Sequence, residues 1–317
     1  MRAIGGELEL RENNHQSYFT DSGRSSLKLF IRSKKNSKKK YLIPDFLCEV
    51  IETVLKEASA EYAFYHILDD LTIDSESVKN KEYDVLYVIN YFGDYMDLSN
   101  LEWEEKILIE DNVFMYNFEN RTHAKYWYAF NSFRKITVLA EGSLVKTTLE
   151  IDDNLIEQGV APFSDIKYEA KSIKYNYIHY GQGKETNYLK KFKEAENMLD
   201  NQKKIYNMSS NSLAKMITFH VDEEQKILKK RYDIMLTLFK KYAVVSTPAY
   251  YSFLILKIKN RDEIRRRLMA KNIFLAAHWT QGPIDNILYQ ELVSIPLFTM
   301  YNDEEFQYLA QAIKDVL

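Results

Sequence analysis

The chain has 317 residues, 46% of them hydrophobic and 28% charged, and a formal net charge of −3. This length predicts two domains, or one large domain with an appendage. The slightly acidic balance excludes nucleic acid or an anionic membrane as the main partner on electrostatic grounds. The single cysteine, Cys48, excludes an internal disulfide framework and indicates a reducing compartment. There is no apolar leader and no uncharged apolar run of about 18 residues, so we expect a soluble, cytoplasmic protein.

The start of the chain predicts strand structure followed by a capped helix. Residues 4–10 alternate after a glycine turn, and residues 18–20 read as the end of a strand. Gly23 and Ser25 then lead into the apolar residues 27–31, with serines where the N-cap and first turn of a helix belong. The free N–H groups of such a helix start would suit a phosphate. An ordinary capped helix is the alternative.

Short apolar runs occur at residues 40–43, 61–65, 84–90 and 106–109, and helical stretches such as residues 46–56 separate them. This pattern predicts βαβ units with a mostly parallel sheet. Polar side chains stand at the ends of these runs: Asn90, Asp111 and, after the aromatic run 126–130, Ser132 and Lys135. Functional groups collect at the carboxyl ends of parallel strands, so these residues mark a candidate site. On its own, Lys135 is also compatible with a surface lysine on a turn.

The second half of the chain is predicted to be helix-rich and then mixed. Residues 185–204 form a charged helical stretch, and residues 222–242 place Leu228, Tyr232, Met235 and Phe239 on one face of an amphipathic helix. We predict strands at residues 251–258 and 273–277, and helices at residues 261–270 and 304–316. The predicted division is a large domain of residues 1–210 and a connecting helix with a small domain over residues 211–317.

Metal, nucleotide and serine-hydrolase motifs are missing from the sequence. The six histidines show no pairing at metal-ligand spacing, and one cysteine cannot build a zinc site. No Gly-x-x-x-x-Gly-Lys-Ser, Gly-x-Gly-x-x-Gly or Gly-x-Ser-x-Gly pattern occurs. The short basic run at residues 34–40 is interpreted as a solvated loop.

Four motifs occur in one order along the chain: Gly23-Arg24-Ser25-Ser26, Glu110-Asp111, Ser132-Phe133-Arg134-Lys135 and Glu141-Gly142. Together they resemble the DegT/StrS-type sugar aminotransferases that depend on pyridoxal phosphate (PLP). Residues 4–9 and the Asn90-Tyr91-Phe92-Gly93 element are similar to a cell-surface-polysaccharide branch of that family. The resemblance implies the α/β fold of fold-type-I PLP-dependent transferases, with a mostly parallel sheet in the large domain and a small C-terminal α+β domain.

The resemblance also implies roles for particular residues. Lys135 would bond to PLP as its Schiff-base lysine and move the substrate proton, and Asp111 would pair with the pyridine nitrogen. Gly23, Arg24 and Ser25, together with the Ser132 hydroxyl, would hold the phosphate. The alternatives are a surface arginine for Arg24 and a helix-capping carboxylate for Asp111.

Two positions depart from the family pattern. Phe114 stands where members carry Gln or His to bond the phenolic oxygen of PLP, and Cys48 stands where many carry an aromatic residue on the ring face. On the substrate side, the resemblance assigns Asn90, Tyr91 and His278. A partly exposed loop histidine is the alternative interpretation of His278.

The implied reaction transfers an amino group from an amino acid, glutamate by expectation, to a keto group of a nucleotide-linked sugar in surface polysaccharide biosynthesis. The implied assembly is a homodimer. A PLP-dependent lyase or dehydratase is an alternative, although the related dehydratases replace the lysine that Lys135 matches. A PLP- or sugar-binding protein without ordinary catalysis is another, and Phe114 favours it.

Overall fold

The structure is a computed structural model, and it describes residues 15–244 and 247–317. The predicted alternation at residues 4–10 lies outside the described residues. In chain order the elements of the first half are β1 (Gln16–Thr20), α1 (Gly23–Arg32), β2 (Lys40–Pro44), α2 (Glu49–Glu57), β3 (Glu61–Tyr65), α3 (Ser75–Val78), β4 (Val85–Ile89), β5 (Ile107–Asn112), β6 (Trp127–Asn131), α4 (Phe133–Ile136) and β7 (Ser143–Thr147).

The second half continues with β8 (Ile156–Glu157), α5 (Pro162–Tyr180), α6 (Glu185–Asn201), β9 (Ile205–Tyr206), α7 (Ser210–Ile217), α8 (Val221–Phe239), β10 (Phe253–Lys257), α9 (Arg261–Met269), α10 (Leu288–Glu291), β11 (Leu292–Pro296) and α11 (Asp303–Lys314). Short 3₁₀ turns occur at Ser33–Lys38, Tyr91–Gly93 and Asp153–Leu155. In the described part of the chain, no helix is both long and apolar enough to span a bilayer.

The large sheet has seven strands in the order β1-β7-β6-β5-β4-β2-β3. Strand β7 runs antiparallel to its neighbours β1 and β6, and the pairs between β6 and β3 are parallel. The predicted mostly parallel sheet is therefore confirmed. Strand β4 is apolar along its whole length, as expected where helices cover both faces of such a sheet, and every one of its residues is buried.

The register of the central strands places their polar ends side by side. Ile89 of β4 pairs with Asp111 of β5, and Asn112 pairs with Asn131 of β6. Asn90, Asp111 and Ser132 consequently lie along one edge of the sheet. This is the carboxyl edge on which parallel α/β folds collect their functional groups.

A separate hydrophobic cluster forms around the C-terminal elements. Its α8 face consists of Leu228, Tyr232, Met235 and Phe239, the four positions that the periodicity predicts. It also contains β10, β11 and the apolar side of α11. The domain boundary at residue 210 stays a prediction.

Two element predictions need correction. The strand predicted at residues 273–277 is wrong: the antiparallel partner of β10 is β11, and this segment contributes only a bridge from Ala276 to Ser294. Residue Phe274 is exposed, so the segment lacks the continuous burial of a core strand. The helix predicted from residue 46 begins at Glu49, with Cys48 as its N-cap, because Phe46 and Leu47 are buried in the loop that follows β2.

Candidate active site

Lys135 lies in α4, one turn after the carboxyl end of β6. Ser132 is the N-cap of this helix, and the Phe133 N–H donates to the Gly142 carbonyl at 3.0 Å. Among the described residues, Lys135 Nζ has no hydrogen-bond acceptor and no ion-pair partner, and it lies 5.8 Å from the centre of the Phe114 ring. Burial lowers the pKa of Lys135, and the Arg134 charge acts in the same direction. This amine is therefore more often neutral near pH 7 than an exposed lysine.

Asp111 is buried at the end of β5 close to Lys135. Its Oδ2 accepts a hydrogen bond from Tyr87 Oη at 2.7 Å, and its Oδ1 accepts one from the Val113 N–H at 3.1 Å. Burial raises the pKa of Asp111 to about 6, while the Tyr87 hydrogen bond, the Val113 N–H and the Lys135 charge oppose the rise. The carboxylate is thus held by two donors, in a place where a positive group would be strongly bound.

Aromatic rings enclose the space beside Lys135. Phe114 stacks on Phe92 with centroids 5.1 Å apart, and it meets Phe253 edge-on at 5.8 Å. Trp279 lies 6.0 Å from Phe92. We call these four residues together with His278 the aromatic wall. It brings together the segments that follow β4 and β5, strand β10 and the loop before α10.

His278 belongs to that wall although it has no regular secondary structure. Its ring centre is 4.8 to 5.5 Å from those of Phe92, Phe114 and Phe253. The residue as a whole is half-buried, but its Nε2 is inaccessible to water and has no hydrogen-bond partner among the described residues. Burial lowers the pKa of His278 to about 3, with a contribution from the Lys135 charge. The imidazole is therefore neutral, and one of its nitrogens is free to bond a ligand.

The start of α1 lies directly against the start of α4. A Cβ on Gly23 would be 3.1 Å from the Asn131 carbonyl oxygen and 3.5 Å from Ser132 Cβ, so glycine permits this approach. Ser22 caps α1 by accepting from the Ser25 N–H at 3.2 Å. The N–H groups of Gly23 and Arg24 have no partner within the helix. The structure thus brings together Gly23, Ser132 and Lys135.

The Arg24 and Ser25 side chains point to other partners. Arg24 bonds Asp200 at 2.7 Å and the Leu199 carbonyl at 2.8 Å, both on α6. The Ser25 hydroxyl donates to Asp21 Oδ1 at 2.9 Å. Of the side chains predicted to hold phosphate, Arg24 is directed to α6 and the Ser25 hydroxyl is bonded to the Asp21 carboxylate.

Asp21 is a buried carboxylate that the sequence interpretation missed. It accepts hydrogen bonds from the Ser22 hydroxyl at 2.7 Å, from Gln202 Nε2 at 3.0 Å and from the Tyr206 N–H at 2.8 Å. Burial raises the pKa of Asp21 to about 6, against these hydrogen bonds. Asp21 therefore ties the end of β1 to the segment that follows α6.

Asn90 and Tyr91, predicted to contact substrate, are both buried and occupied within the fold. The Asn90 amide donates to Asn112 Oδ1 at 2.7 Å and accepts from the Met96 N–H at 2.8 Å, and the Tyr91 hydroxyl donates to the Phe46 carbonyl. In the 3₁₀ turn Tyr91–Gly93, Phe92 has a φ of +53°, a conformation that is unusual for a bulky residue. Phe92 contacts His278 and Trp279 of the aromatic wall, whereas Tyr91 meets the wall through Trp279, at 5.8 Å between ring centroids.

Cys48 lies near Lys135 and Tyr87, at the N-terminus of α2. The family resemblance predicts that residue 48 faces the cofactor ring. Burial lowers the pKa of Lys135, and the nearby Cys48 thiol partly opposes this change. Tyr87 and Phe92 were missed because each is a typical core aromatic in the sequence. No group of three or more His, Cys, Asp or Glu side chains that could hold a metal ion occurs in the described parts of the chain.

No protein-family model and no curated protein matches the chain. Solved aminotransferases match over nearly its whole length, which confirms the predicted fold-type-I architecture. A DegT DnrJ EryC1 StrS aminotransferase from Brucella abortus is 12% identical, with a TM-score of 0.63 over 94% of this chain and 85% of that one.

Two further neighbours have the same architecture. The sugar aminotransferase CalS13 from Micromonospora echinospora is 13% identical, with a TM-score of 0.61 over 94% of this chain and 87% of its own. NtdA from Bacillus subtilis, solved with bound cofactor PMP, is 11% identical, with a TM-score of 0.63 over 95% and 73%. At these identities the likeness shows a common fold. The resemblance seen in the sequence motifs is thus confirmed at the level of the fold.

Proposed function

We propose that this protein is a PLP-dependent aminotransferase. One juxtaposition carries the proposal. The Lys135 amine and His278 Nε2, neither of which has a hydrogen-bond partner in the described part of the chain, share one site with the Asp111 carboxylate beside the aromatic wall. Such a combination of perturbed lysine and buried carboxylate is typical of catalytic sites. The fold shared with solved sugar aminotransferases supports the same conclusion.

The residues present fit PLP. The N–H groups of Gly23 and Arg24 at the start of α1, with the Ser132 hydroxyl, would hold its phosphate. Asp111 would pair with the ring nitrogen. Within residues 15–244 and 247–317, His278 Nε2 is buried without a partner, a costly state that a polar atom of the cofactor ring would relieve. His278 would thus supply the hydrogen bond that Phe114 cannot.

When bound, PLP would supply an electron sink for bond breaking at the amino-acid carbon. Lys135 would take the proton from that carbon and later return one, which its lowered pKa favours. Asp111 would hold positive charge at the ring nitrogen in a site shielded from water, where such a pair is strong. The rings of Phe92, Phe114 and Trp279 would exclude water.

We further propose a keto group of a nucleotide-linked sugar as the amino acceptor, in surface polysaccharide biosynthesis, and glutamate as the donor. The Brucella abortus neighbour is described as a DegT DnrJ EryC1 StrS aminotransferase, and CalS13 is described as a sugar aminotransferase. The second description supports a sugar acceptor. We place the enzyme in the cytoplasm as a homodimer, since the sequence is 14% aromatic and offers surface for an apolar interface. Sedimentation at micromolar concentration tests the dimer.

The test of function is a change in the visible spectrum. The protein is loaded with PLP, and glutamate or another amino acid is added without acceptor. We expect the cofactor absorption to change to that of the aminated form, and to return when a keto sugar linked to a nucleotide is added. A PLP-loaded protein whose spectrum stays constant with every amino acid would refute aminotransfer.

A second candidate is a PLP- or sugar-binding protein without turnover. The observation in its favour is Phe114, which fills the position of an expected donor and stacks on Phe92. In that case PLP binds but amino acids leave its spectrum unchanged. The same titration therefore separates the two candidates.

A further inference from the structure

A group of positive side chains lies next to Lys135, and the proposed reaction assigns none of them a contact with substrate or cofactor. It consists of Arg134 on α4 and of Lys167, Lys171 and Lys174 on α5, and we call it the basic cluster. The three lysines follow one another at spacings of four and three residues, so they lie on one face of α5. Burial lowers the pKa of Lys171 to about 8, and the charges of Lys167, Arg134 and Lys174 act in the same direction.

Only one carboxylate faces this cluster within the described residues. Glu196 Oε1 accepts a hydrogen bond from an Arg134 guanidinium nitrogen at 3.1 Å, and Lys167 bonds the same oxygen. Lys171 and Lys174 are half-buried and have no acidic partner among the described residues. Four positive charges therefore meet one negative charge, in a chain whose net charge is −3.

Two hydrogen-bond donors beside the cluster are also unused. Arg134 Nε and the Ser164 hydroxyl are inaccessible to water and have no partner among the described residues. Ser164 precedes Lys167 by three residues and shares its face of α5. The Lys167 side chain is 8% exposed. Burying like charges and unpaired donors together is costly unless an anion completes the group.

The cluster adjoins the candidate active site. Arg134 directly precedes Lys135 in α4. Burial lowers the pKa of Lys167 to about 8, and the Arg134 and Lys135 charges contribute to this shift. The proposed site for the cofactor phosphate is a different one, because the start of α1 lies against Ser132 and not against the basic cluster. The basic cluster is therefore a second place where negative charge is favoured, next to the reacting groups.

We propose that Arg134, Lys167 and Lys171 form a binding site for a phosphoryl anion. A guanidinium and neighbouring ammonium groups are the side chains that bind phosphates, the first through paired hydrogen bonds and the second as point charges. Resting on the proposed function, the anion would be the diphosphate of the nucleotide-linked sugar. The phosphate of PLP is the other source of the same chemistry.

The test measures binding by calorimetry with the purified full-length protein loaded with PLP. The probes are inorganic pyrophosphate and uridine diphosphate, and PLP itself is titrated into the cofactor-free protein. The variants are Lys171→Gln and Glu196→Gln. The control is Lys38→Gln, which removes the same charge from an exposed lysine that has no ion pair with any described residue. Thermal unfolding confirms that each variant folds.

We expect Lys171→Gln to weaken pyrophosphate and uridine diphosphate by about 10-fold or more, the effect of losing one charged contact. Lys38→Gln should match the wild type, and Glu196→Gln should bind the anions more tightly because a competing carboxylate is gone. A loss confined to PLP would support the phosphoryl site and assign it to the cofactor. Equal affinities in Lys171→Gln and Lys38→Gln for all three probes would overturn the proposal.

A pH series gives a second readout that does not depend on catalysis. The charged groups facing Lys167 and Lys171 are Arg134, Lys135, Lys174 and Glu196. Because burial lowers the pKa of both lysines to about 8, pyrophosphate affinity should fall as the pH rises through 8. Constant affinity between pH 7 and about 9.5 would contradict the site. Failure of aminotransfer with this binding intact would refute only the proposed reaction.

Discussion

The imidazole of His278 packs edge-on against the Phe114 ring, with centroids 4.9 Å apart and an interplanar angle of 66°. Residue 114 is the position from which related enzymes are expected to offer a hydrogen bond to PLP. The structure puts a neutral imidazole directly beside it, and the Nε2 of this imidazole has no hydrogen-bond partner among the residues that the structure describes. We propose that a donor from the loop before α10 takes the place of the donor expected just after β5.

His278→Phe should therefore impair the reaction with an amino donor while it preserves the aromatic packing. We expect that reaction to slow by about 100-fold, the scale for one lost hydrogen bond at a reacting centre. The visible absorption of bound PLP should also shift, which a purely structural residue would not cause. Stopped-flow spectroscopy measures both, with the exposed His220→Gln as control. An unchanged spectrum and rate would remove His278 from the site.

Asp111→Asn should bind PLP but react slowly with the amino donor. The phosphate contacts and Lys135 remain in this variant, whereas the charge that holds the ring nitrogen protonated is lost. We expect the half-reaction to slow by about two orders of magnitude. Near-equal rates for the variant and the wild type would mean that Asp111 only supports the fold through Tyr87 and Val113.

Phe114 should also matter for stability. It is completely buried in contact with Phe92, Phe253 and His278, so truncation leaves a cavity in the aromatic wall. We expect Phe114→Ala to lower the free energy of unfolding by about 3–5 kcal/mol. Urea denaturation measures this, and the exposed Phe274→Ala is the control, with an expected change below about 0.5 kcal/mol. Equal effects in the two variants would contradict the packing.

Asp21 should make stability depend on pH. Its pKa is about 6 in the folded protein and near 3.8 when unfolded, so the folded state binds more protons between these values. The Asp21 contribution to the free energy of unfolding should consequently rise as the pH falls from 7 through 6. Asp111 shifts in the same direction, so Asp21→Asn should reduce the effect without abolishing it.

Urea unfolding at pH 7.5 and pH 5.5 provides the comparison for Asp21. The wild type should gain more stability than Asp21→Asn on going to the lower pH. Identical pH dependence in the two proteins would show that the buried carboxylate titrates normally.

The sequence predicted the central sheet well because each buried strand is a short apolar run that ends at polar residues. The predicted run at residues 61–65 coincides with β3, and the run at 84–90 contains β4. The strand predicted at residues 273–277 was wrong, and β11 was not predicted, because residues 273–277 and Leu292–Pro296 are both apolar enough for a strand. Which of them pairs with β10 depends on tertiary contacts that the local pattern does not contain.

The candidate site was predictable where a residue type and a strand end coincided, as for Asp111 and Lys135. Side-chain direction was not predictable. Arg24 turns to Asp200 because α6 lies beside α1, and the Asn90 amide is taken up by Asn112 of the neighbouring strand. The position of His278 in the site depends on a loop that packs over Phe114, although the two residues are 164 positions apart in the chain.

The central claim is that Lys135 holds PLP, and reductive trapping tests it most directly. Borohydride is added to the PLP-loaded protein, which is then digested and analysed by mass spectrometry. A pyridoxyl group should appear on Lys135 in the wild type, and Lys135→Ala should carry no covalent label after the same treatment. A label on another lysine in the wild type, or an equally labelled Lys135→Ala protein, would contradict the assignment of the site.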